Sequence, residues 1–268
     1  MDEFKTIRIH DKRYWRLPAF QVNVCSFHLS EGDARPIEDH VGSMTNGSNM
    51  NVVVFGSGEF ASLVWYTLTH DSPYNVIGFT VDEAYLAERT HHSLPVVAFE
   101  KLQSVFPPSD VQLFLPIGNN HLRHQRYREA KGMGYRLPTY VSSRAITWPD
   151  LQVGECSMIF EASVVQPFAR IGIGVIVRGG CYISHHVTVG DFSFLAGHTV
   201  TGGRSRIGAG CFIGLGAVIR DHVTVADNCL IGAGAVVCAN TAPDGQYVGV
   251  PAKLFANAPK RPQVASIE

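Results

Sequence analysis

From Val153 onward the chain repeats every six residues. Val153, Ile159, Val165, Ile171, Val177, Ile183, Val189 and Leu195 are followed at the same spacing by Thr201, Ile207, Ile213, Ile219, Val225, Ile231 and Val237. Thr201 is the only one that is not aliphatic. Four residues after each comes a small residue, beginning Ser157, Ser163, Ala169, Val175, Cys181, Val187 and ending Cys229, Ala235, Thr241. The residue directly after the aliphatic is often Gly or Ala, as at Gly154, Gly172, Gly190, Ala196, Gly202, Gly208, Gly214, Ala226 and Gly232. A period of six suits neither an amphipathic helix nor a free alternating strand. It suits a prism of short parallel strands, three hexads to a turn, with the aliphatic aimed at the axis. The small residue fills each cramped corner, and glycine is expected to take the dihedrals that the corner needs.

Composition narrows the function classes. Apolar residues make up 46% of the 268 and charged ones 17%, enough to bury a core. Lys plus Arg (22) nearly cancels Asp plus Glu (23), which argues against a nucleic-acid partner and gives no polybasic membrane signal. No long apolar run and no leader-like start are present, so the sequence predicts a soluble, cytoplasmic protein without membrane insertion. The six cysteines, at 25, 156, 181, 211, 229 and 238, form no C-x-x-C pair. Cys181, Cys211 and Cys229 fall in the small corner slot and read as filling rather than as redox or metal ligands.

Ahead of the repeat, residues 51–138 alternate strand and helix. Met50–Phe55 is a buried-type strand running into Gly56-Ser57-Gly58-Glu59-Phe60-Ala61, and residues 62–68 have helical apolar spacing. Asn75–Val81 is a second strand ending in Asp82. Val111–Ile117 runs into Gly118-Asn119-Asn120, and a polar helix follows over 121–131. This is a small parallel-sheet nucleotide-binding unit. G-x-G-x-x-A with a downstream acid also fits a nicotinamide cofactor. About 90 residues, however, hold only one mononucleotide half. Residues 1–49 carry Trp15, Phe20 and Phe27, end in a polar linker, and form an extension of unassigned role.

The repeat, together with Val248-Gly249-Val250-Pro251-Ala252-Lys253 after its last turn, resembles the hexapeptide-repeat acyltransferases over about residues 140–255. Joined to an α/β half with the turns above, it is similar to the sugar acyltransferases that modify nucleotide-linked amino sugars or sialic acid. The resemblance implies a Rossmann-like α/β domain (51–138), a left-handed parallel β-helix (139–240) and a closing segment and tail (241–268). It also implies a homotrimer that uses acetyl-CoA on a nucleotide-sugar in surface-glycan synthesis. The implied substrate positions are Gly58, Glu59, Phe60, Asp82, Gly118 and Asn119. Those implied for the coenzyme are Gly203, Leu215, Ala233 and Lys253.

Ile183-Ser184-His185-His186-Val187-Thr188-Val189-Gly190 matches the family's catalytic segment, placing His185 on the base. His186 stands where relatives carry an acid and joins His185 in the expected catalytic pair. Phe194 stands where relatives often carry a second histidine, and His198 is a candidate for the missing polarity. His222, beside Asp221, reads as surface. N-acetylation of an amino sugar leads, with sugar O-acetylation and a non-catalytic nucleotide-sugar binder as alternatives. A metal site like that of trimeric β-helix carbonic anhydrases is not expected, because the coil lacks an H-x4-H pair.

Overall fold

A computed structural model describes residues 50–255. The expectations for residues 1–49, Cys25 and the tail beyond Phe255 lie outside the described residues. Strands β1 (Asn51–Phe55), β2 (Asn75–Val81), β3 (Thr90–His91), β4 (Leu94–Ala98) and β5 (Gln112–Phe114) form one sheet in the order β3-β4-β2-β1-β5. All neighbours are parallel except β3 and β4. Val52, Val53 and Val54 are fully buried, as expected for a strand covered on both faces. Helix α1 (Glu59–Asp71) packs Ala61, Val64 and Leu68 on one face. Helices α2 (Leu102–Val105) and α3 (Asn120–Gly132) place Leu102 and Ala130 on the other. The chain moves outward from β1 through β2 to β4, then crosses back to β5. That reversal makes the carboxyl ends of β1 and β5 a switch point, where open α/β sheets bind ligands in a crevice.

After β6 (Tyr140–Val141), fifteen two-residue strands, β7 to β21, run at six-residue spacing from Gln152–Val153 to Val236–Val237. From β7 to β18 each pairs in parallel with the strand eighteen residues on, as Ile171 with Val189 and Val189 with Ile207. Three hexads therefore make one coil, and the aliphatic column forms a continuous buried core. The fold is the expected left-handed β-helix. Thr201, the break in the column, is fully buried, and its hydroxyl donates to the Tyr182 carbonyl (3.3 Å). Corner residues also tie coils together. Ser157, Ser163 and Ser193 donate to Gly172, Arg178 and Gly208 carbonyls fifteen residues on, at 2.8, 3.1 and 2.7 Å. Cys181 and Cys211 do the same with sulfur, to Ala196 and Ala226. Burial pushes the Cys181 thiol up to about 11, so it is a corner donor and no nucleophile.

Glycine's role differs from expectation. None of the glycines directly after the aliphatic has a positive φ. They are required by close approach: a Cβ on Gly190 would lie 2.6 Å from the Ala209 nitrogen, and one on Gly154 2.7 Å from Gly172. The left-handed residue comes two positions later. It is Gly174, Gly180, Gly210, Gly216 or Gly234 in some turns and Phe168, His186, Phe192, His198, Arg204 or His222 in others. Gly190→Ala is therefore expected to lower the melting temperature more than Gly216→Ala, despite the latter's φ of +64°, because nothing lies within 4 Å of a Cβ at 216. Thermal melts of the two variants check this.

The prism presents three faces. The polar face shows Gln152, Arg170, Thr188, Arg206 and Thr224. The open face shows Val164, Tyr182, Val200, Val218 and Val236. On the docking face, Met158, Ile176 and Phe194 pack with Tyr140 and Phe160 against α1 and the sheet. Two polar anchors fix this contact. The Arg123 side chain is fully buried; its Nε donates to the Gly174 carbonyl (2.7 Å), and its Nη2 donates to those of Phe192 (2.9 Å) and Ser193 (3.3 Å) and to Asn120 Oδ1 (2.9 Å). At the end of α1, Asp71 accepts from Tyr140, from Ser142 and from the Ser143 hydroxyl and N–H. Burial works against its charge, but these donors outweigh it and hold the carboxyl at about 2. The folded value lies below the ordinary 3.8, so the stabilisation is present above that pH and is lost as pH falls towards 2. Asp71→Asn is expected to lower stability at pH 7 and to flatten its fall between pH 4 and 2, read by denaturant titration.

Candidate active site

At the end of β1 the chain turns through Gly56 at φ +102°, and α1 starts after Gly58 with no side-chain cap. Glu59 is exposed in its first turn. Phe60 turns towards the coil, 6.1 Å from the Phe160 ring. Arg178, which the sequence reading did not single out, lies over both rings, at 4.7 Å from Phe60 and 5.0 Å from Phe160. Asp82 follows β2, and its Oδ2 is bound by Arg126 at 2.7 Å. Arg126 also pairs with Glu129 and lies over the Phe55 and Phe99 rings. Asp82 Oδ1 and Arg126 Nε are buried without a partner. After β5, Gly118 is exposed, and Asn119 caps α3 by accepting from the His121 and Leu122 N–H groups. The six substrate candidates thus all sit at carboxyl ends of parallel strands. Asp82 and Asn119, however, already hold structural partners.

His185 and His186 stand on the corner between the open and polar faces, both exposed. The His185 N–H donates to Gln166 Oε1 (3.0 Å), and its Nδ1 faces His186 Nδ1 at 3.1 Å. A hydrogen bond between them needs the proton on one of the two nitrogens. Gly203, one coil on, lies under the His185 ring: a Cβ there would come within 2.7 Å of Nε2. His222 is on this corner too, 4.0 Å from Asp221 with both side chains largely exposed.

The other coenzyme candidates are elsewhere. Leu215 and Ala233 lie on the corner between the docking and open faces, where the Gly234 N–H donates to the Leu215 carbonyl. The loop before Lys253 closes that same corner, through the Ala252 N–H to Val236 and the Val236 N–H to Gly249. His198 stands there as well, over Gly180, and so does not support His185 within one protomer. Phe194 faces the docking side, its ring stacked on Phe212 at 5.2 Å. A groove of about 900 Å³ runs along the remaining corner past Asn120, His124, Asp191, Phe192 and Asp227, but it contains none of the expected site residues. The expected constellation is therefore split between two corners of one coil.

Residues 51–130 match the PglD N-terminal domain, and residues 204–239 match the bacterial transferase hexapeptide family (six repeats). The acetyltransferase domain of PglB from Neisseria gonorrhoeae FA1090 is 26% identical, with a TM-score of 0.71 over 77% of this chain and 100% of that one. With the two models in this order, the chain is similar to the hexapeptide-repeat sugar acyltransferases. The same PglB domain has also been solved in complex with acetyl coenzyme A. A histidine-to-asparagine mutant of perosamine N-acetyltransferase from Caulobacter crescentus, in complex with CoA and GDP-perosamine, is 25% identical, with a TM-score of 0.72 over 76% of this chain and 96% of that one. WeeI from Acinetobacter baumannii AYE, 20% identical with a TM-score of 0.63 over 76% and 100%, shares the fold. The hexapeptide model and the acetyltransferase neighbours together support an acyltransferase. Among the described residues no helix is long and apolar enough to cross a membrane, and no group of metal ligands is found.

Proposed function

We propose that the protein transfers acetyl from acetyl-CoA to the amino group of a nucleotide-linked amino sugar, in the cytoplasm, as a step of surface-glycan synthesis. The observation that carries the reading is the pairing of a sheet switch point with a coil on which His185 stands at one corner and Leu215 and Ala233 at another. Residues 51–138 would hold the nucleotide through the crevice at Gly58–Phe60, Asp82 and Gly118–Asn119. The coil would supply the chemistry. In a homotrimer, the open–polar corner of one protomer meets the docking–open corner of its neighbour, which brings His185 and Gly203 to Leu215, Ala233 and Lys253. The apolar open face, with Tyr182 and Val200 each 37% exposed, supports such packing.

His185 would take the proton from the attacking amine, with His186 holding its Nδ1. The amine adds to the thioester carbonyl, and a coil backbone N–H stabilises the oxyanion before the thiolate leaves. A thiol-release assay with acetyl-CoA and a panel of nucleotide amino sugars tests the reading. His185→Ala should lower kcat by about 10²–10⁴ with sedimentation and melting near wild type, and His222→Ala should do little. Near-normal turnover in His185→Ala would remove it as the base, and a stable monomer at micromolar concentration would remove the shared site. Lys253 is offered to the coenzyme's phosphates. Lys253→Glu should raise the KM for acetyl-CoA from a few-fold to tens-fold, the scale of one charged contact, and an unchanged KM excludes it.

A further inference from the structure

Arg178 is the cation that the site described so far leaves without a task. Its guanidinium lies against the Phe60 and Phe160 rings, 4.7 and 5.0 Å from their centroids, and is half-buried. Among the described residues none of the ion pairs involves it. Burial pushes its pKa down, with Glu161 opposing from beyond ion-pair distance. Two aromatic rings hold the plane of a five-donor fork while its N–H groups keep no carboxylate. Such a group is prepared for a planar or phosphate oxyanion.

The anion's place follows from the neighbours. Phe60 is the second residue of α1, whose first turn is uncapped and whose first helical bond runs from the Ser62 N–H to Gly58. The amides before Ser62 have no acceptor within the helix and point to the crevice at the end of β1. On the coil side Arg178 leads into Gly179, on the corner that carries Leu215 two coils further on. At roughly 4.8 Å per coil that is a separation of roughly 10 Å, and the coenzyme phosphates assigned to Lys253 lie further still. We propose that Arg178 binds the diphosphate of the nucleotide-sugar, between the α1 N-terminus and the coil. This rests on the nucleotide-sugar reading above and adds a phosphate clamp supplied by the β-helix rather than by the α/β half.

Calorimetric titration of the full chain with UDP, GDP and dTDP, with the matching nucleosides and with acetyl-CoA, tests it. Arg178→Met keeps an apolar stem over the two rings and removes the charge. Arg178→Lys keeps the charge without the fork. The Met variant should bind the preferred diphosphate about ten- to a hundredfold more weakly, with the Lys variant between it and wild type. Nucleoside and acetyl-CoA affinities should stay within about twofold, and melting should stay near wild type. A diphosphate affinity that survives in the Met variant overturns the assignment and leaves Arg178 as a tie between two rings. Equal losses for nucleoside and diphosphate overturn it as well, as does a loss confined to acetyl-CoA. If wild type binds none of the three diphosphates, the nucleotide-sugar reading itself falls, a result distinct from all of these.

Discussion

The fold turns on a guanidinium with no carboxylate. Arg123 projects from α3 into the seam between the two halves and spends its donors on backbone oxygens, while burial brings its pKa down to about 10 and leaves it charged at neutral pH. Its acceptors are the carbonyls of Ile117 and Gly174 and of the Phe192–Ser193 pair, and Asn120 beside it donates to those of Gly210 and Cys211. Residues 174, 192 and 210 are eighteen apart, one per coil, so two side chains read three rungs of one corner. A buried charge persists only when its hydrogen bonds are complete. Any slip of the α/β half along the prism by one rung would strand this one, so register is set here. The apolar docking face supplies area, but area tolerates sliding, and hydrogen-bonded carbonyls do not.

That fixed register puts the crevice beside one particular corner. Held by Arg123 and Asp71, α1 presents Phe60 to Phe160 and Arg178, so the crevice opens towards the docking–open corner. His185 stands across the open face, on a different edge of the same prism. Within a single protomer the proposed base and the proposed coenzyme positions therefore stand apart. The exposed apolar strip between the two corners is the surface that a second copy would cover.

Much of this architecture was legible because a six-residue repeat has one economical solution. The inward aliphatics, the small corner residues and the three-hexad coil followed from spacing alone, and β1, β2 and β5 followed from apolar runs ending at glycine turns. The edge hairpin of β3 and β4 and the short α2 were missed, because Leu94–Ala98 contains Pro95 and carries no clear alternation. The glycine assignment was half right. Sequence shows that glycine recurs, but whether it serves dihedral freedom or clearance depends on where the next coil's backbone passes. Arg123, Arg126 and Arg178 escaped notice for a related reason. A charged residue in a polar helix or a turn looks solvated until the fold supplies the seam around it. The outward residues of the docking strands, Met158, Ile176 and Phe194, gave a faint signal, since the polar face shows none like them.

The histidine pair has a consequence for how a base can work without a neighbouring acid. A hydrogen bond between His185 Nδ1 and His186 Nδ1 needs the proton on one of them, so the two tautomers are linked. With the proton on His185, its Nε2 has a free lone pair over Gly203 and can accept from an amine, while His186 is an Nδ1 acceptor with its own proton on Nε2. With the proton on His186, His185 must carry its hydrogen on Nε2 and has no basic nitrogen facing outward. The first arrangement is the one that the proposed base needs, and whatever binds the outer Nε2–H of His186 favours it. That nitrogen is on an exposed corner, in a left-handed turn at φ +59° that aims the ring beside Phe168. A carboxylate in that position would accept the Nδ1 proton unconditionally. The imidazole accepts it only in one of its two forms, and in the proposed trimer a neighbouring protomer over this corner would choose between them.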